Sequence, residues 1–163
     1  MTTTSTSTGM PAVPRVGELA PDFTLRSTAG QSVTLSAWRG KSNVLLAFFP
    51  LAFTSVCSKE MCEIYENIDS FRSASTQVYG ISVDSIPTLK EWQYKNGMQT
   101  EMLSDFKREV SRAYGVLDEE KFYTRRSYFL IDKQGVLRWS HIEVNDADKR
   151  ELSELLGPIA KLS

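Results

Sequence analysis

The stretch FFPLAFTSVC, residues 48–57, decides how the rest of the chain is interpreted. The apolar run from Val44 to Phe49 predicts a buried strand, and Pro50 ends it. Ser55 is a candidate N-cap for a following helix, which would place Cys57 in the first helical turn. Unpaired backbone N–H groups and the positive end of the helix dipole stabilise a thiolate in that position. The sequence therefore predicts one activated sulfur.

Strand and helix patterns alternate along the chain. The predicted strands cover residues 23–25, 32–35, 44–49, 78–83, 102–104, 126–131 and 136–139. The predicted helices cover residues 55–72, 85–96, 105–114 and 146–161. Ala29-Gly30 predicts a hairpin between the first two strands, and right-handed crossovers would pair the Val44 and Val78 strands in parallel. This order predicts an α/β fold in which a mixed central β-sheet, with an N-terminal β-hairpin, is flanked by helices.

Length and composition limit the classes of function. The 163 residues are 41% apolar, enough for one domain with a buried core. We expect residues 1–12 to be a disordered Thr/Ser-rich tail and residues 13–163 to be a single domain. The net charge of −1 argues against nucleic-acid binding, and no apolar run approaches the roughly 20 residues of a membrane span. Two cysteines are too few for a secreted disulfide scaffold, so a cytoplasmic location with redox-active thiols is expected.

The surroundings of Cys57 favour a reactive thiolate, although most free cysteines are simply buried apolar side chains. Thr54 precedes Cys57 by three residues, so one turn of backbone can bring its hydroxyl to the sulfur. Lowering the pKa of a thiol from about 8.5 to about 6 needs roughly 3.4 kcal/mol of thiolate stabilisation. A helix end supplies up to about 2 kcal/mol of it. Charge-assisted hydrogen bonds must supply the rest, which predicts a nearby arginine.

These residues match a known pattern. Pro50-x-x-x-Thr54-x-x-Cys57 resembles the active-site signature of the peroxiredoxins, which are thiol peroxidases of thioredoxin-like fold. Further segments that look similar to this family are residues 17–23, 80–85, 103–105, 113–116 and 126–138. The run before Cys57 is especially similar to the one-cysteine alkyl hydroperoxide reductase E branch. The resemblance covers most of the chain and implies a thioredoxin-like fold.

The resemblance implies a role for each matched residue. Cys57 would be the peroxidatic cysteine, which attacks one peroxide oxygen and becomes a sulfenic acid. Thr54 would hydrogen-bond the peroxide, and Pro50 would shield the site from bulk water. Arg126 matches the family arginine by its spacing to the strand that follows, and it would stabilise the departing oxygen. Its neighbour Arg125 would point to the opposite face of the strand.

Two further residues match family positions but also have simpler interpretations. Glu60, one turn after Cys57, resembles an acid that orients the arginine, although it could be an exposed helix charge. Trp92 also matches, but an aromatic residue on an amphipathic helix is more often part of the core. No metal, flavin or other cofactor is expected, because the resemblance requires none and His141 is distant in sequence from both cysteines.

Cys62 has two interpretations. The Cys-x4-Cys spacing resembles that of bacterioferritin comigratory protein, or Q-type, peroxiredoxins, in which the second cysteine resolves the first through an intramolecular disulfide. Cys62 could instead be an ordinary residue at the margin of the apolar helix face. Residues five apart on a helix have Cα atoms about 8.7 Å apart, whereas a disulfide needs less than about 7 Å. Bond formation would therefore require the start of the helix to unwind.

The predicted function is a thiol-dependent peroxidase that reduces hydrogen peroxide and organic hydroperoxides, with thioredoxin or a low-molecular-weight thiol as reductant. A homodimer is expected by analogy, without nucleic-acid or membrane partners. The alternatives are a one-cysteine peroxiredoxin resolved by an external thiol, a redox-sensing thiol switch without turnover, and a thioredoxin-type disulfide reductase. The last normally has Cys-x-x-Cys after the strand, which this chain lacks.

Overall fold

A seven-stranded mixed sheet organises the computed structural model, which describes residues 13–98 and 100–162. The predicted tail at residues 1–12 lies outside the described residues. The strands are β1 (Thr24–Ser27), β2 (Ser32–Thr34), β3 (Asn43–Phe48), β4 (Thr76–Ser82), β5 (Met102–Ser104), β6 (Leu117–Asp118), β7 (Tyr123–Thr124), β8 (Ser127–Ile131) and β9 (Leu137–Ile142). The helices are α1 (Ser55–Glu66), α2 (Ile68–Ser73), α3 (Ile86–Asn96), α4 (Glu109–Ala113) and α5 (Leu152–Ala160), with a 3₁₀ helix at Leu35–Trp38. None of the helices in these described ranges is both long and apolar enough to cross a membrane.

The strand order in the main sheet is β2-β1-β5-β4-β3-β8-β9, and β6 pairs with β7 in a separate ladder. Strands β3 and β4 are parallel, as the crossover rule predicts for strands joined by a helix. The β1–β2 hairpin and the β8–β9 pair are antiparallel. The predicted mixed sheet and N-terminal hairpin are therefore confirmed. The sequence analysis did not predict the short β6–β7 ladder.

Strand β3 is buried at all six positions because both faces of the sheet are covered. Alternate residues divide between two apolar clusters. Leu45 and Ala47 lie in the cluster that contains residues of α1, α3 and α5, whereas Leu46 lies in the cluster on the other side. Gly80 in β4 lets α1 approach the sheet closely, since a Cβ there would lie 2.7 Å from Cε of Met61. The sheet thus fixes the position of α1, which contains both cysteines.

The prediction of one helix over residues 55–72 is wrong, because the helix is interrupted at Asn67. The Asn67 side chain donates to the carbonyl of Glu63 at 2.8 Å, and side-chain bonds of this kind compete with helix continuation. The N-cap prediction is also wrong by one residue. Thr54 has the extended conformation of the cap, and Ser55 is already helical.

Two other helices are shorter than predicted. The last helix begins at Leu152 instead of residue 146, and Glu151 closes a capping box with Glu154. Helix α4 covers Glu109–Ala113 instead of residues 105–114. Asp105 lies before it and accepts the backbone N–H of Val110 and of Ser111, so this residue caps the helix instead of joining it.

Candidate active site

Cys57 lies in the first turn of α1, beyond the carboxyl end of β3, and its side chain is buried. Two hydrogen bonds hold the loop between β3 and α1 against the rest of the fold. The backbone N–H of Ala52 donates to Oδ2 of Asp84 at 2.8 Å, and the Thr124 hydroxyl donates to the carbonyl of Phe49 at 2.8 Å. The sulfur is therefore placed by a constrained loop at the edge of the sheet.

Arg126 contacts the sulfur directly. Its Nη2 donates to Sγ of Cys57 at 3.1 Å and to the carbonyl of Asp146 at 3.2 Å, while its Nη1 donates to Oε1 of Glu60 at 2.8 Å. Only 1% of the side chain is exposed, so Arg126 is not a surface cation. Burial opposes the charge, but the pKa of Arg126 is raised by the charges of Glu60 and Cys57. Arg126 is therefore a buried cation in direct hydrogen-bond contact with the Cys57 sulfur.

The Nε–H of Arg126 differs from the other guanidinium donors. It is buried, and among the described residues it has no hydrogen-bond acceptor. A buried donor that is left unpaired costs free energy, so such groups usually serve a bound molecule, a water or a mechanism. The site thus offers one available donor on the same guanidinium that contacts the sulfur.

Glu60 lies on α1, the helix of Cys57. Its side chain is buried, so the alternative of an exposed helix charge is wrong. Its two oxygens have different donors, since Oε1 accepts from Arg126 and Oε2 accepts from the Tyr128 hydroxyl. Burial raises the pKa of Glu60, while Arg126 and Tyr128 act in the opposite direction. The charged pair of Glu60 and Arg126 is consequently sustained by direct hydrogen bonds in a site that excludes water.

Thr54 and Pro50 lie on the loop before the sulfur. The Thr54 hydroxyl donates to the carbonyl of Leu51 at 2.7 Å, so the structure does not direct it to the sulfur as the sequence suggests. Thr54 is exposed, whereas Pro50, which lies just after β3, is buried. Phe53, between them, has a φ of 64°, a conformation that is unusual for a residue other than glycine. This loop forms the solvent side of the site.

Trp92 is fully buried in α3 and belongs to the core below α1. Its ring lies 5.1 Å from that of Phe49, and its Nε1 donates to Oγ of Ser58 at 2.9 Å. The structure therefore places Trp92 next to the residue that follows Cys57, where it supports the first turn of α1 by packing.

Cys62 is five residues after Cys57 on the same uninterrupted helix. It is partly buried and packs against the core cluster that contains Cys57. Burial, together with the nearby charge of Glu66, raises the pKa of the Cys62 thiol. Both cysteines are free thiols. Cys62 is thus a partly buried thiol, separated from Cys57 by more than one helical turn.

Two neighbours of this site were missed by the sequence analysis. Asp146 supplies its backbone carbonyl to Arg126, and Tyr128 supplies its hydroxyl to Glu60. The position of Tyr128 could have been deduced, because residues two apart on a strand share a face. His141, considered only as a poor metal ligand, lies on β9 with Nε2 at 3.3 Å from Oε1 of Glu143.

Comparisons with known proteins identify the fold and the family. A sequence profile of the AhpC/TSA family matches residues 16–140. Alkyl hydroperoxide reductase E of Mycobacterium tuberculosis is 41% identical over 130 residues, which cover 78% of this chain and 85% of that protein. A putative peroxiredoxin of Synechocystis is 38% identical over 148 residues, which cover 82% of this chain and 71% of that protein.

A solved structure is also similar. The reduced 2-Cys peroxiredoxin of Plasmodium vivax superposes with a TM-score of 0.82 at 31% identity, covering 89% of this chain and 80% of that one. The mixed sheet with its flanking helices is therefore the predicted thioredoxin-like fold. The chain belongs to the AhpC/TSA family, and it is a peroxiredoxin of the branch similar to alkyl hydroperoxide reductase E, a thiol-dependent peroxidase.

Proposed function

We propose that Cys57 is the peroxidatic cysteine of this peroxidase. The observation that carries the proposal is the 3.1 Å hydrogen bond from Nη2 of Arg126 to its sulfur, in a buried site at the start of a helix. The thiolate attacks one peroxide oxygen, the O–O bond breaks, and the electron pair leaves with the second oxygen. A proton converts that oxygen to water or an alcohol, and the sulfur becomes a sulfenic acid.

Arg126 and Thr54 are the proposed donors to the peroxide. The available Nε–H of Arg126 can donate to the peroxide while Nη2 holds the sulfur, so one rigid cation would align both reactants. The Thr54 hydroxyl would exchange its bond with the Leu51 carbonyl for one with the substrate. Pro50, which is buried beside the site, would exclude water. Donors to the departing oxygen act mainly in the transition state, because charge develops there.

Hydrogen peroxide and organic hydroperoxides are the proposed substrates. The loop on the solvent side contains Phe53, which is 50% exposed, and the partly buried Leu51. These side chains give the entrance apolar surface that an alkyl group can contact. Hydrogen peroxide does not need this surface, since it requires only the hydrogen-bond donors.

Cys62 is the proposed resolving cysteine. Residues 57 and 62 of a continuous helix have Cα atoms about 8.7 Å apart, beyond the roughly 7 Å limit for a disulfide. The first turns of α1 must therefore unwind after Cys57 is oxidised, which would also release Cys62 from the burial that raises its pKa. The Cys62 sulfur then displaces water from the sulfenic acid, and thioredoxin or a small thiol reduces the disulfide.

We expect Cys62→Ser to retain the first oxidation but to lose turnover with thioredoxin. Mass spectrometry after one equivalent of peroxide tests this. The unaltered protein would lose two hydrogens through an internal bridge, whereas the variant would gain one oxygen. Full thioredoxin-supported turnover of the variant would contradict a resolving role and would favour the alternative in which an external thiol reduces the sulfenic acid. A single oxidation without turnover in the unaltered protein would favour a sensor.

A homodimer formed through the loops at the carboxyl ends of the strands is also proposed. Phe106 is 61% exposed and Phe122 is 47% exposed, and the Arg108 guanidinium lies 4.0 Å from the Phe122 ring centroid and 5.9 Å from that of Phe106. Exposed aromatic residues grouped around an arginine are typical of the centre of a protein interface. The hydrogen bond from Thr124 to Phe49 links this surface to the active-site loop. A second copy of the chain is therefore the proposed occupant.

Phe106→Asp is expected to convert the dimer to a monomer in sedimentation velocity experiments, because it places a charge in the apolar centre of this surface. Tyr94→Asp is the matched control, since Tyr94 is 83% exposed on α3. A monomeric unaltered protein at about 100 μM, where a dimer with a Kd of about 1 μM would be largely formed, would contradict the proposal. So would a dimer that is unaffected by Phe106→Asp.

A cytoplasmic location, where both thiols would stay reduced, is proposed as well.

A further inference from the structure

The hydroxyl of Tyr128 extends the active-site network by one buried group. It donates to Oε2 of Glu60 and accepts the backbone N–H of Arg150 at 3.1 Å. The tyrosine is fully buried, so no water competes for these bonds. A phenol has a single hydrogen, and the incoming N–H occupies a lone pair of its oxygen. The arrangement therefore leaves the hydrogen of Tyr128 directed to Glu60.

Each oxygen of Glu60 has a separate donor, and this fixes the plane of the carboxylate. Oε1 accepts from Nη1 of Arg126 at 2.8 Å, and Nη2 of the same guanidinium donates to Cys57 at 3.1 Å. Because the guanidinium is planar and rigid, the orientation of Glu60 sets the direction of Nη2. We infer that Tyr128 is a positioning residue for peroxide reduction, acting through Glu60 on the guanidinium that contacts the sulfur.

The strand geometry supports this inference, which rests on the proposed roles of Cys57 and Arg126. Arg126 directly precedes β8 and Tyr128 is its second residue, and both side chains point to the face covered by α1. The ring of Tyr128 packs at 6.4 Å from that of Trp139, and a phenylalanine would fill the same space. The hydroxyl can therefore be removed while most of the packing is kept.

The pH dependence provides a readout that packing alone would not change. Burial raises the pKa of Glu60, and the hydrogen bonds from Arg126 and Tyr128 lower it, as does the charge of Lys149. Loss of the Tyr128 hydroxyl raises this pKa further, so Glu60 becomes neutral at a higher pH than before. A neutral Glu60 holds Arg126 less firmly. The acid limb of the pH–rate profile, where peroxide reduction slows as the pH falls, should consequently move to higher pH.

Tyr128→Phe is expected to lower the second-order rate constant for hydrogen peroxide by roughly threefold to tenfold, which is less than the full worth of one hydrogen bond to a charged group because Tyr128 acts on the sulfur only through Glu60. It should also move the acid limb to higher pH. Tyr114→Phe is the matched control, because Tyr114 is equally buried on the other side of the sheet and donates to the Pro21 carbonyl at 2.7 Å. That control should retain the rate and the profile.

A double variant separates action through Glu60 from other effects. In a Glu60→Gln background, Tyr128→Phe should cause no further loss of rate. The acid limb that Cys57 still produces there should not shift, because residue 60 no longer ionises. An equal loss in both backgrounds, an unchanged rate, or a lower rate with an unshifted limb would each overturn the inference. If the unaltered protein does not react with peroxide at Cys57, the proposed function fails before this comparison can be made.

A measurement on the unaltered tyrosine covers the case in which Tyr128→Phe does not fold. The hydroxyl hydrogen of Tyr128 is expected as a slowly exchanging, downfield proton resonance, because it is buried and bound to a carboxylate. This resonance should move in Arg126→Lys and disappear in Glu60→Gln. A resonance that is unmoved in both variants would overturn the inference.

Discussion

Cys57→Ser is expected to reduce peroxide consumption to the rate without enzyme. A serine hydroxyl is almost the same size as a thiol, but it does not ionise near neutral pH and is a weak nucleophile without a general base. Arg126 directs a cation to this position, while Glu60 is bound to Arg126 and Tyr128 and does not serve residue 57 as a base, so neither group activates a hydroxyl. Stopped-flow measurement of hydrogen peroxide consumption, with dithiothreitol as reductant, tests this expectation.

Cys62→Ser is the matched control for this experiment, since it removes the other thiol of the same helix. Without added reductant, the control should still consume one equivalent of peroxide rapidly, and its product should carry one added oxygen at Cys57. Rapid peroxide consumption by Cys57→Ser would contradict the assignment of the reactive sulfur. Reduction of insulin disulfides by the unaltered protein, without peroxide consumption, would favour a disulfide reductase instead.

The central triad of the site could be predicted in part from a local signal, which Cys57 has, and in part from the family resemblance, which supplied Glu60 and Arg126. Cys57 follows a strand that ends at Pro50, and Glu60 is one helical turn beyond it. Arg126 was placed by resemblance and by alternation along the strand, which also explains why its neighbour Arg125 is exposed. The parallel pairing of β3 with β4 followed from the handedness of crossovers. Local pattern and general topology were sufficient for Cys57 and for the parallel strands, whereas Glu60 and Arg126 depended on the family resemblance.

Features that depend on tertiary contacts could not be predicted. Residues 146–151 have a helical pattern, but here they form a non-helical segment whose polar groups bind other elements. The carbonyl of Asp146 accepts from Arg126, and Lys149 pairs with Glu63 on α1 at 2.8 Å. These bonds replace the helical bonds that the pattern indicates. The bond from the Thr54 hydroxyl to the Leu51 carbonyl is local instead, and the sequence does not distinguish it from a bond to the sulfur.

Arg126→Lys is expected to slow peroxide reduction at least tenfold. Lysine keeps the positive charge but has one nitrogen, so it cannot serve Glu60, Cys57 and the Asp146 carbonyl in the fixed geometry that a guanidinium provides. One lost hydrogen bond to a charged group is worth about 1.5–3 kcal/mol, and about 1.4 kcal/mol corresponds to a factor of ten in rate. The second-order rate constant with hydrogen peroxide is the measurement.

Arg125→Lys is the control, because Arg125 is exposed beside the same strand and should not affect the rate. Arg126→Ala is a less informative variant, since it leaves Glu60 as an unpaired charge in a buried site. The variant thereby loses about 3–5 kcal/mol of its free energy of unfolding. Its rate should therefore be compared in a Glu60→Gln background, with unfolding in urea measured in parallel. If Arg126→Lys folds and reacts at the unaltered rate, the contact between guanidinium and sulfur stabilises the fold but does not promote the reaction.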